Sequence, residues 1–74
     1  MPRLPIISGD KFAKAVSKIG YYLDHIEGSH MILLHISGRR LSVPRHKELR
    51  RGLLRALIKD AGLSRQEFIR LLRE

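Results

Sequence analysis

The chain has 74 residues, no cysteine, and 15 Lys+Arg against 7 Asp+Glu, for a net charge of +8. A domain of this length hides only about 60% of the surface its unfolded chain exposes, which excludes a multidomain enzyme with a deep cleft and favours a shallow surface site. The missing thiols exclude disulfides, thiolate zinc centres and cysteine nucleophiles, and the periodic clustering of its 43% hydrophobic residues excludes a disordered chain.

The opening Met-Pro-Arg-Leu-Pro-Ile-Ile-Ser lacks the apolar core of a secretion signal, and no stretch approaches the roughly 18 apolar residues of a membrane span. A soluble, cytoplasmic protein without membrane attachment is expected, folded as one domain over residues 1–74. Ser8 then caps a helix predicted over residues 9–19, with Ile7 and Phe12 placed as a hydrophobic staple and Asp10 in the first turn, where the helix dipole favours an anion. Phe12, Val16 and Ile19 share one face, Lys11, Lys14 and Lys18 the other, and Gly20 supplies the stop.

Tyr21 to Ile26, His30 to Ile36 and Arg40 to Val43 are short runs of β-branched, aromatic and aliphatic residues. Glu27-Gly28-Ser29 and Ser37-Gly38-Arg39 separate them as turns, so the segment reads as a three-stranded antiparallel meander. Alternation predicts a core face of Tyr21/Leu23, Ile32/Leu34/Ile36 and Leu41/Val43. A helix is expected from Leu49 to Ala61, with an apolar stripe of Leu49, Leu53, Leu54, Leu57 and Ile58 and with Arg51, Arg55 and Lys59 on another face. Gly62 ends it, and Ser64 opens a final helix through a capping box with Glu67 and a staple from Leu63 to Phe68. The order α-β-β-β-α-α points to an α+β domain with its helices on one face of the sheet.

Positive charge concentrates toward the carboxy-terminal half. Residues 1–38 hold four basic and three acidic groups, whereas residues 39–74 hold eleven and four. Arg39, Arg40, Arg45, Lys47, Arg50, Arg51, Arg55 and Lys59 fall on neighbouring elements, a distribution suited to nucleic acid or to an acidic protein partner. His25, His30, His35 and His46 show no metal-ligand spacing, and no phosphate-binding glycine motif is present, so neither metal nor cofactor is expected. Gly28-Ser29-His30 sets an imidazole directly after a tight turn, on the side of Ile32 and Leu34 but at the strand's end. A ring at the rim of the core can be an ordinary surface histidine or a proton-transfer group, and only its neighbours decide. His46 has the same ambiguity, between a phosphate ligand and a solvated loop residue.

Gly20-Tyr21, Gly28-Ser29-His30, Val43-Pro44-Arg45-His46 and the run Lys47-Glu48-Leu49-Arg50-Arg51-Gly52-Leu53-Leu54-Arg55 resemble, in order and spacing, the HicA-type (YcfA-like) toxins of toxin–antitoxin modules. The resemblance implies a double-stranded-RNA-binding-like fold, a metal-independent mRNA interferase activity, and neutralisation by a HicB-type antitoxin that covers the active site. It also implies that the histidine after Gly-Ser, His30, is the catalytic residue. The chain departs from the family's pattern with the acidic Asp24 and Glu27 near the turn, and with Met31 and Leu53. On this reading Ser29, Arg40, Arg45, His46, Lys47, Arg51 and Arg55 contact mRNA, and His30 exchanges a proton while a ribose 2′-hydroxyl attacks phosphorus. A non-catalytic RNA-binding module of the same fold is the alternative, in which shape and phosphate contacts alone are used.

Overall fold

In the computed structural model residues 4–74 are described; Met1–Arg3, the start of the stretch inspected for a leader, lie outside the described residues. The elements are α1 (Gly9–Ser17), β1 (Tyr21–Glu27), β2 (His30–His35), β3 (Arg40–Pro44), α2 (Arg51–Asp60) and α3 (Arg65–Arg73). The strands form an antiparallel meander in the order β1-β2-β3. Tyr21, Met31, Leu33, Leu41 and Val43 project from one face of it onto Phe12, Val16, Leu54, Leu57 and Phe68, so all three helices close over the same side. The α+β order and the one-sided packing expected from sequence are both present.

Local chemistry explains the ends of the elements. Ser8 accepts from the Lys11 N–H at 3.0 Å, and Ser64 and Glu67 form both halves of the capping box, each satisfying a backbone donor that a helix start leaves free. The two residues Gly28 and Ser29 connect the paired Glu27 and His30, with positive φ at Gly28 alone, as a type II′ hairpin requires. Tyr21 buries its ring and donates its hydroxyl to the Ala61 carbonyl at 3.2 Å, which fastens β1 to the end of α2. No described helix is long and apolar enough to cross a membrane.

The predicted core face needs correction. In β2 Met31 and Leu33 join the helix-side core; Ile32 and Leu34 point to the face away from the helices, where Ile32 is nonetheless buried, and Ile36 lies beyond the strand, 84% exposed. Leu23 stands opposite Leu33 on the helix side, but β1 is an edge strand and leaves it 52% exposed. Four consecutive apolar residues, Met31 to Leu34, let either face of β2 serve as the core, and its pairing with Leu41 and Val43 decides between them. A β-bulge between Leu23 and His25 reverses the alternation along β1. The predicted Leu49–Ala61 helix begins later, because Leu49 instead donates its N–H to the Ile7 carbonyl in an isolated β-bridge. Leu53, placed in the apolar stripe by sequence, is exposed, and Leu54, Leu57 and Ile58 carry that packing.

Candidate nucleic-acid interface

The end of β1, the start of β2 and the end of β3 meet at one end of the sheet, and the chain from Arg45 to Arg50 crosses that end to enter α2. His30 opens β2 there. It is paired with Glu27 on one side and Pro44 on the other, so its exposed ring stands on the open face of the sheet, away from the helices. Sequence alternation groups His30 correctly with Ile32 and Leu34, but that side is the open face and not the rim of the helix-side core.

Backbone contacts seat the basic loop beside this histidine. The Arg45 N–H donates to the Ser29 carbonyl at 2.7 Å, and the Gly9 N–H donates to the His46 carbonyl at 2.9 Å. Gly9 can approach so closely only because it lacks a Cβ, which would overlap the Pro44 carbonyl oxygen. Arg45 Nε also lies 3.9 Å from Asp10 Oδ1 in the first turn of α1. Ser29, His30, Arg45, His46 and Lys47 are thereby gathered at one end with exposed side chains. Arg40 stands farther along the same open face, opposite Leu34, with its charge in reach of Glu27.

Arg51 and Arg55 are grouped differently. They line a cleft with Leu4 and Arg65, and that cleft contains neither His30 nor the 45–47 loop. Among the described residues, none of the three guanidiniums forms an ion pair. Like charges held close together without a counter-ion favour an incoming anion. Nothing in the local sequence singles out Arg65, since only the crossing of α3 with α2 brings it to Arg51 and Arg55.

A second group on the open face also escaped sequence analysis. His25 Nδ1 is 2.6 Å from Asp24 Oδ2, and His25 Nε2 is 2.8 Å from Glu27 Oε1. The hydrogen bond to Glu27, followed by that to Asp24, holds the imidazole above its ordinary pKa. Reciprocally, Glu27 is held below the usual carboxylate range, mainly by its hydrogen bond to His25, with attraction to Arg40 and His30 adding to it. The available signal was an acidic-His-x-acidic spacing on a predicted strand. His35 has a structural role: its ring packs on Tyr21 with centroids 4.7 Å apart, donates from Nε2 to the Ile19 carbonyl, and accepts from the Ser37 N–H at Nδ1. No group of three or more His, Cys, Asp or Glu among the described residues is disposed to hold a metal ion.

The chain is a small basic α+β domain of six elements that displays an exposed histidine beside a cationic loop, with a further arginine cleft along its helices. The family model described as HicA toxin of bacterial toxin-antitoxin matches residues 9–63, and the chain belongs to that family. It is the toxin of a toxin–antitoxin pair, with an antitoxin as partner. Comparison with curated proteins produced no match.

Proposed function

We propose that this toxin is an mRNA interferase, an endoribonuclease that uses His30 for proton transfer and needs no metal, and that a HicB-type antitoxin silences it by covering that face. The observation that carries this reading is the placement of an exposed imidazole beside Arg45, whose backbone is bonded to Ser29. His30 Nε2 or Nδ1 accepts the proton of a ribose 2′-hydroxyl as its oxygen bonds to the adjacent phosphorus. The bond from phosphorus to the 5′-oxygen then breaks, and that oxygen takes up a proton. The products are a 2′,3′-cyclic phosphate and a 5′-hydroxyl end. Arg45 and Lys47 stabilise the charge that builds on the phosphorane oxygens, and Arg40 and His46 hold the flanking backbone of a cytoplasmic mRNA.

Purified wild type and His30→Ala, incubated with mRNA, test the reading. The variant should lose cleavage by about 10²- to 10⁴-fold, the range of a positioned acid–base group, while retaining RNA affinity. Binding by both proteins with cleavage by neither would leave only the RNA-binding module. Growth arrest on expression of the toxin, relieved by a neighbouring HicB-like protein, tests the proposed partner.

A further inference from the structure

The open face of the sheet holds a second imidazole, that of His25. From Tyr21 and Leu23 on the helix side, simple alternation would send Asp24 and Ile26 outward and His25 inward. The β-bulge between Leu23 and His25 reverses that order, so His25 pairs with Ile32 and Glu27 with His30 on the open face. Bulges concentrate beside functional sites because they re-aim side chains. His25 and His30 are consequently diagonal neighbours on adjacent strands, a relation that sets Cα atoms about 7–8 Å apart.

We propose that His25 is the general acid of the scission, donating a proton from Nε2 to the departing 5′-oxygen while His30 takes the proton of the attacking 2′-hydroxyl. The proposal rests on the ribonuclease reading and assigns the half of the reaction that one imidazole cannot serve. An in-line displacement keeps the attacking and departing oxygens on opposite sides of phosphorus, about 4 Å apart, with a proton-transfer nitrogen about 2.6–3.2 Å beyond each. Two rings on diagonal positions can span that distance; two functions on one ring cannot.

The surroundings of His25 suit an acid. Asp24 fixes the ring through Nδ1 at 2.6 Å and is a positioning residue. Glu27 occupies Nε2 at 2.8 Å in the free protein, where the departing oxygen would sit in the reaction. Glu27 is well exposed and free to swing aside, and the His25 side chain is 43% exposed, open to a substrate on this face. The charged groups facing the pair are Asp24 and Glu27 on β1, with His30 on β2 and Arg40 on β3 within reach of Glu27. The two carboxylates keep the imidazole protonated above the pH at which a free histidine loses its proton. One proton enters the site from the 2′-hydroxyl and one leaves on the 5′-oxygen, so the cycle balances once water exchanges a proton between the two rings.

The test uses the leaving group. After the cleaved bond is mapped with wild type, an RNA carrying sulfur in place of the bridging 5′-oxygen at that bond supplies a thiolate that departs without protonation. His25→Gln should cleave ordinary RNA about 10²- to 10⁴-fold more slowly than wild type, yet cleave the sulfur-bridged RNA at a rate close to wild type. His30→Ala should be slow on both. In Asp24→Asn, loss of the positioning carboxylate should move the alkaline limb of the kcat profile to lower pH with RNA affinity retained. Equal slowing of His25→Gln on both substrates, or wild-type cleavage of ordinary RNA, overturns the assignment. If wild type cleaves neither substrate, the ribonuclease reading itself fails and takes this assignment with it.

Discussion

Gly9 is the point at which the basic loop is fastened to the body of the protein, and Gly9→Ala measures how firmly. The added Cβ would overlap the Pro44 carbonyl oxygen and lie 3.1 Å from the Pro44 carbonyl carbon and 3.4 Å from Arg45 Cα. All three are backbone atoms, so no side chain can rotate out of the way. Forcing an extra carbon into such a contact costs about 1–3 kcal/mol, and loosening the Gly9 to His46 hydrogen bond adds about 1 kcal/mol. Alanine's better helix propensity returns about 1 kcal/mol at most, so a net loss near 2 kcal/mol is expected. For a domain of this size that lowers Tm by roughly 8–16 °C, read by thermal melting monitored at 222 nm. Displacement of the loop should also weaken RNA binding. Gly52→Ala is the control: no heavy atom lies within 4 Å of its Cβ, and it sits inside α2, so the variant should gain about 0.5–1 kcal/mol. A Gly9→Ala protein that melts at or above the wild-type temperature would show that the loop is not seated on α1 as described.

Phe68 is fully buried with its ring 5.3 Å from Phe12, and Phe68→Ala should cost about 3–5 kcal/mol in urea unfolding, a large share of a small domain's stability. Arg55→Gln relieves repulsion in the Arg51–Arg55–Arg65 cleft, so Tm should hold or rise slightly while the log–log salt slope of single-stranded RNA binding falls by about 0.7 for each phosphate no longer neutralised. An unchanged slope would remove that cleft from the RNA footprint. The raised pKa of His25 contributes stability that is complete below the ordinary histidine range and is lost as pH rises through the folded value. The lowered pKa of Glu27 contributes stability present above the ordinary carboxylate range and lost as pH falls through its folded value. The Tm difference between wild type and His25→Gln should therefore be greatest between those two ranges and shrink on either side; a flat difference from acid to alkaline pH would refute the pairing.

The starts of α1 and α3 were legible in the sequence because capping is local: Ser8, Ser64 and Glu67 act on backbone donors within three residues of themselves, whereas α2, which has no side-chain cap, begins later than its apolar pattern suggested. The tight turn at Gly28-Ser29 and the exposure of His30 just after it were equally legible, since both depend on chain geometry over a few bonds. The core face of β2 was not, because Met31 to Leu34 are apolar on both sides and their pairing with β3 lies outside any local window. Nor did the apolar character of Leu23 and Leu53 disclose their exposure, which depends on an edge strand and on which face of α2 the other helices leave open.

The amino-acid order alone determined the succession of six elements, the cationic character of the second half and the display of one histidine at a hairpin, since each arises from contacts or composition close along the chain. Tertiary structure decided which cations stand near that histidine. The loop from Arg45 to Lys47 reaches it through backbone bonds to Ser29 and Gly9, whereas Arg51 and Arg55 turn toward Arg65. It also decided that His25 and Glu27 share the face of His30, because a single bulged residue inverts every side chain that follows it along β1, and its position emerges only when two strands are paired.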